Sequence, residues 1–389
     1  MANPRFRRQV IGEFKNDTGI ARMNTLSCTG DFNRDGKMDF AVCGRNGKMA
    51  WFENTGDRTE WIYHPVAEVK NQECGGRAID LTGNGYPDII NGSDAWADEM
   101  SWWENPGPKG GEWKRHIIAK TGKVQQHDTL VAPVKNDGIN YLLFTNQERG
   151  TTLYALPVPS NPFLSPWPDL EIIADDMKLP NPHAKTGFQP EEGVAAGDLD
   201  NDGMLEVVSG VSWFKWTGNH WQASKFTEEN YITNKIAIAD IDGDGKNEIL
   251  LAEGDACIYG KKEGGKAAWF KPVAGNVWGM WEEHIIDTGL LDAHSIAVAD
   301  LCGNGFNDIF LGEIGVTRGD SEEYHLRPPR LYIYENDGRG NFPVRHIIDN
   351  KTGVHEAVVT DLNGDGKLDI IGKPLHGPEK WKLHAWFRE

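Results

Sequence analysis

The residues best suited to chemistry in this sequence are carboxylates at alternate positions. The pattern Asp-x-Asp/Asn-x-Asp/Asn-Gly-x-x-Asp/Glu stands at 31–39, 198–206, 240–248 and 361–369. Side-chain oxygens at positions 1, 3, 5 and 9, with a glycine at 6 for the sharp turn, wrap a hard cation by the logic of an EF-hand loop. The candidate ligands are Asp31, Asn33, Asp35 and Asp39; Asp198, Asp200, Asp202 and Glu206; Asp240, Asp242, Asp244 and Glu248; and Asp361, Asn363, Asp365 and Asp369. Two weaker copies offer Asp80, Asn84 and Asp88, and Asp300, Asn304 and Asp308, because Thr82 and Cys302 occupy position 3. A thiol is a poor ligand for Ca2+. The expected ions are Ca2+ or Mg2+, acting as structural clips rather than as sensors.

A second set emerges from the register of the first. A degenerate copy around Asp137 makes seven motifs, with first positions 31, 80, 133, 198, 240, 300 and 361. Six residues before them stand Thr25, Cys74, His127, Glu192, Asn234, His294 and His355. Neutral imidazoles joined by a carboxylate suit a transition ion such as Zn2+ or Mn2+ with an open position, so His127, Glu192, His294 and His355 are the candidate central ligands. The alternative is a polar sugar-binding cluster without a metal. His116, His284 and His346 share another column and are expected to be structural.

Such convergence needs a closed ring. Each unit reads as four strands: an alternating run before the motif, a run closing it, an aromatic strand, and a fourth with His-Ile-Ile. Seven such units predict an all-β, seven-bladed β-propeller forming a single domain over 1–389. The strand at 6–11 is expected to complete the last blade and remove its open edge. Two stacked β-sandwiches are the runner-up. In a propeller the first strands line the channel, and the loops joining second to third strands open on the same face as the ring. Those loops carry Asp94, Trp96, Lys373 and His376 as candidate substrate contacts. Candidate acids and bases are His183, Tyr324, His325 and Glu356, with Arg318 to hold an anionic oxygen.

Composition narrows the classes. A formal net charge of −18 disfavours nucleic acid and anionic membranes as partners. No apolar run approaches the roughly 18–20 residues of a spanning helix. Five cysteines without a CxxC pair suit a reducing compartment, and the N-terminus lacks a secretory h-region. A cytoplasmic location is expected, or secretion if a leader was trimmed. GxSxG, P-loop, Rossmann and HExxH motifs are absent, which argues against the common hydrolase, NTPase and dehydrogenase designs. Oligomeric state has no signature.

The Asp-rich loops resemble the FG-GAP and VCBS repeats of integrin-like and bacterial propellers. Together with His294-Ser-Ile-Ala-Val-Ala-Asp300 and His355-Glu-Ala-Val-Val-Thr-Asp361, they also resemble propeller lyases and dehydratases acting on sugars. Among these are the propeller domain of aldos-2-ulose (1,5-anhydrofructose) dehydratase and the rhamnogalacturonan lyases. That resemblance implies a metal-dependent carbon–oxygen lyase performing β-elimination on a keto-sugar or uronate-containing glycan at the channel mouth. The alternatives are a non-catalytic glycan- or protein-binding propeller, and a glycoside hydrolase.

Overall fold

Successive side chains of a strand point to opposite faces, and here each face belongs to a different core. Ile249 and Leu251 pack with Val208 and Trp213 of the preceding unit, whereas Leu250 and Ala252 pack with Ile309 and Leu311 of the following one. Such strands are apolar on both faces because both are covered. The computed structural model describes residues 4–17, 23–45, 47–68, 70–72, 75–147, 150–182, 188–189, 191–317 and 323–389.

Among the described residues the strands form seven four-stranded antiparallel sheets and one two-stranded hairpin, Leu179–Pro180 with Phe188–Gln189. Blades 1 to 6 each use four consecutive strands, beginning at Asn24, Arg77, Gln126, Ala195, Asn234 and Ser295. Blade 7 takes His355–Thr360, Asp369–Lys373 and Lys382–Arg388 from the C-terminal end, and Phe6–Glu13 from the other. Phe6 lies opposite Arg388 and Glu13 opposite Lys382, so the N-terminal strand closes the ring as expected. First strands of neighbouring blades lie against one another and line the channel. Seven separate apolar clusters, one between each pair of adjacent blades, replace a single core. No described helix is long and apolar enough to cross a membrane.

The Asp-rich loops join first to second strands, and their side chains are bound up with backbone. The position-1 carboxylate caps the turn: Asp31 accepts from the N–H groups of Asp35 and Gly36, each at 2.9 Å. The position-6 glycines adopt φ from 81° to 87°, a left-handed conformation that costs other residues energy. Position 9 is buried. Asp308 accepts from Cys302 N–H at 2.7 Å within the loop and from Asn336 N–H at 2.9 Å beyond the third strand. Asp39, Asp88 and Asp369 do the same with Phe32 and Asn54, Leu81 and Asn105, and Leu362 and Arg388. Each oxygen of these four position-9 carboxylates thus accepts one backbone N–H.

The asparagines carry the connection onward. Asn54, Asn105 and Asn336 donate through Nδ2 to the carbonyls of Leu362, Phe32 and Ile241, each in the preceding blade's loop. Asn247 and Asn307 reach the carbonyls of Asp198 and Asp240 in the same direction. The outer strands add a further device. His64, His116 and His284 stack flat on Trp51, Trp102 and Trp269 at 4.1, 4.3 and 4.1 Å, and His346 bonds Glu335 at 2.9 Å. Replacing Asp308 with Ala leaves two backbone donors unpaired, and urea unfolding is expected to show a loss of about 2–6 kcal/mol.

Candidate functional site

The ring column converges as its spacing requires. Thr25, His127, Glu192, Asn234, His294 and His355 are all buried, while Cys74 lies outside the described residues. Glu192, 1 % exposed, is the hub. Its Oε2 stands 3.1 Å from His294 Nε2 and its Oε1 3.5 Å from His127 Nε2, and Gln147 Nε2 donates to Oε1. Ligand atoms of His127, Glu192 and His294 all lie within 4.8 Å of one another. His355 departs from that set: it stacks on His294 at 4.3 Å between ring centroids, and its Nδ1 faces Lys373 Nζ at 3.3 Å.

The column one residue later supplies groups that the His pattern does not reveal. Its members include Asp128, Lys235 and Glu356. Asp128 Oδ1 is 2.9 Å from His127 Nδ1, and Lys235 Nζ donates to Asp128 at 2.8 Å and pairs with Glu192 at 3.2 Å. Strand alternation should turn these residues away from their His neighbours. Irregular register between Gln126 and Thr129, and between His355 and Val358, instead lets adjacent side chains both face the axis. Glu356, at φ 53°, lies with its carboxylate within 4.8 Å of ligand atoms of both His127 and Asp128. Charged residues filling three of seven places in this second column are the signal that finds them.

Burial and charge set the proton preferences. Burial would raise Glu192, but His127, Lys235 and His294 outweigh it and hold the carboxylate well below its usual range. Asp128 is likewise held down against burial by Lys235 and the His127 bond. Burial, reinforced by Lys235, lowers His294 to about 4, and burial with His294 and Lys373 beside it pushes His355 well down. His127 moves the other way, because Glu192 and Asp128 overcome its desolvation. Glu356 is raised by burial despite Lys235. Asp255, whose Oδ1 is 3.8 Å from His294 Nε2, is raised well above its usual value by burial and by Glu192. Ser27, Arg77, Asp128, Lys235, His294 and Glu356 line a channel cavity of about 160 Å³.

The donor set matches a transition ion in composition: neutral His294, His127 oriented through Nδ1 by Asp128, and an ionised Glu192. Lys235 already supplies one positive charge to the same carboxylate, which the sequence column did not anticipate.

Other expected site residues lie elsewhere. His183 and Arg318 fall outside the described residues. Tyr324 donates to the His376 carbonyl at 3.4 Å, and burial with Glu379 and Asp349 pushes its phenol up to about 12, so its electrical neighbours are those of blade 7's rim rather than the ring. His325 is exposed and bonds Val316 through its backbone N–H. Lys373, expected to meet substrate, is 0 % exposed and donates to the carbonyls of Thr25 and His355 at 3.0 and 3.1 Å, a strut across the first strands. Asp94 is also buried, shaping its loop by accepting from Trp96 N–H at 3.0 Å. Trp96 itself is 51 % exposed, as a stacking platform requires.

Comparison with known proteins agrees with the architecture. A family model described as an FG-GAP-like repeat matches residues 31–90, 198–251 and 314–372. Integrin alpha-PS2 of Drosophila melanogaster is 25% identical over 170 residues, which are 41% of this chain and only 12% of that protein. A crystal structure of BBS1N in complex with ARL6DN superposes with a TM-score of 0.52 at 8% identity, covering 98% of each chain. The exotype rhamnogalacturonan lyase YesX gives 0.52 at 12% identity, covering 98% of this chain and 75% of that one. At such identities the likeness is one of fold.

Lys235 pairs with buried Glu192 and half-buried Asp128, and removing the cation leaves both carboxylates with less compensating charge. Lys235→Met is expected to lower stability by about 3–5 kcal/mol in urea unfolding. An unchanged midpoint would mean that Asp128 and Glu192 find their countercharge elsewhere.

Proposed function

We propose that this seven-bladed propeller of FG-GAP-like repeats is a carbohydrate lyase, eliminating across a carbon–oxygen bond of a keto-sugar or uronate-containing glycan at the channel mouth. The observation that carries the reading is the meeting at the channel of His127, Asp128, Glu192, Lys235, His294 and Glu356, whose proton preferences are driven in opposite directions within one cluster. Environments that push neighbouring groups apart are the mark of acid and base assignments. The similarity in fold to a rhamnogalacturonan lyase supports the substrate class, and exposed Trp96 offers a sugar ring a stacking face.

In the elimination a base takes the proton next to the carbonyl or carboxylate. The electron pair then forms the carbon–carbon double bond, and the departing oxygen leaves with a proton. We assign that proton to Glu356, whose burial favours its retention. Lys235 places positive charge where the enolate oxygen develops. His127, Glu192 and His294 would hold the central ion, with Asp128 fixing the His127 ring through Nδ1. When bound, that ion supplies Lewis-acid polarisation of the substrate oxygen and so acidifies the adjacent C–H. The base is assigned to His183, one of the acids and bases expected from the sequence.

A second reading, a non-catalytic binding propeller, is favoured by the pairing of Lys235 with Asp128 and Glu192, which gives both carboxylates a cationic partner from within the chain. The two part on a panel of keto-sugars and uronate polymers. Under the lyase reading the wild type forms an unsaturated, ultraviolet-absorbing product, and Glu356→Gln slows it about 100- to 10,000-fold. His294→Ala is expected to abolish both turnover and central-ion content measured by elemental analysis. No product from the wild type on any member favours binding alone, and turnover retained by His294→Ala sinks the assignment of the ion.

A further inference from the structure

The two loops richest in acid differ from the others in three linked ways. Position 3 is Asp only at Asp200 and Asp242; elsewhere it is Asn33, Thr82, Cys302 and Asn363. Position 9 is Glu only at Glu206 and Glu248 in the same two loops. The third change lies across the sheet, in the third-strand residue opposite position 9. One step beyond the pairs Val207 with Phe214 and Ile249 with Phe270, that residue is Lys215 in blade 4 and Lys271 in blade 5. By the same step it is Glu53, Glu104 and Glu335 in blades 1, 2 and 6, where the carboxylate bonds His64, His116 and His346 instead.

The lysines reach into the loops. Lys215 Nζ lies 2.6 Å from Asp200 Oδ2, 2.6 Å from Asp202 Oδ2 and 3.1 Å from Glu206 Oε1, with its side chain only 13% exposed. Lys271 Nζ bonds Asp242, and Asp244 at 2.8 Å. In blade 4 the longer glutamate adds a third contact. Glu206 accepts Leu199 N–H at 2.7 Å through Oε2 and leaves Oε1 for the ammonium, whereas Asp39, Asp88, Asp308 and Asp369 use both oxygens on backbone N–H groups. An extra carboxylate, an extra methylene and a cation arrive together in these blades.

We propose that Lys215 and Lys271 are resident counter-ions, and that the loops 198–206 and 240–248, whose carboxylates stand close enough to hold a metal ion, are complete without a divalent one. An ammonium brings three donors and one positive charge to the place a divalent ion would occupy. The loops that look most like cation sites in sequence are therefore the self-sufficient ones. The inference is independent of what the channel mouth does.

The test is calcium stoichiometry of the full chain, equilibrated by dialysis against calcium chloride and measured by atomic emission. Asp200→Asn with Asp242→Asn is expected to leave the calcium bound per chain unchanged from wild type. Lys215→Met with Lys271→Met is expected to gain two ions per chain. A fall of two ions in the asparagine variant overturns the proposal even if the methionine variant does not fold, and no gain in a folded methionine variant overturns it as well.

Discussion

Everything else in this molecule depends on a buried carboxylate that holds two strands and a turn together. Each blade has a hydrophobic face on either side and no core of its own, so apolar packing alone would allow neighbouring sheets to slide. In four blades the aspartate at the loop's ninth position fixes the first turn and the far end of the third strand at once. In three of them an asparagine at that far end extends the hold to the preceding blade. Directional bonds thus set the angle between blades, and the apolar clusters fill the space so defined.

The same chain uses acidic groups in two opposite regimes. At the loops all but the buried ninth-position group are nearer water, held by backbone donors and, in two blades, by lysine. At the axis burial works against ionisation, and the neighbouring charges decide which groups overcome it. Glu192 stays ionised because two imidazoles and an ammonium surround it, while Asp255, with the carboxylates of Glu192 and Asp292 nearby, is driven towards its neutral form. Chemistry is possible at the axis because proton affinity there is set by position, not by residue type.

The ring, its seven units and its closing strand were legible because the loop motif repeats and the terminal runs complement each other. The column of His127, Glu192, His294 and His355 was legible because it sits at a constant distance from that motif. Asp128 and Glu356 were not, since a regular strand would send them to the opposite face, and only the irregular register at Gln126 and His355 brings them inward; Lys235 reaches the axis from an unbroken ladder. Lys215 and Lys271 were hidden for another reason: their partners lie across the sheet, where spacing along the chain gives no warning. Tyr324, Lys373 and Asp94 show the reverse error. Their loops are on the expected rim, but loop membership does not say whether a side chain meets solvent or serves as a strut.

Closure by Phe6–Glu13 against Lys382–Arg388 has a consequence for how the protein is made. The closing strand leaves the ribosome before every other strand of the ring, and its partner leaves after them. Until that partner emerges, Val10 and Ile11 have no sheet to join, and the blade 1 surface that Ile11 and Phe14 cover stays bare. All the strands between them must be synthesised before the loop that joins these two can be closed. Birth of this ring is therefore a race between the last blade and any other strand that offers itself to the waiting first one.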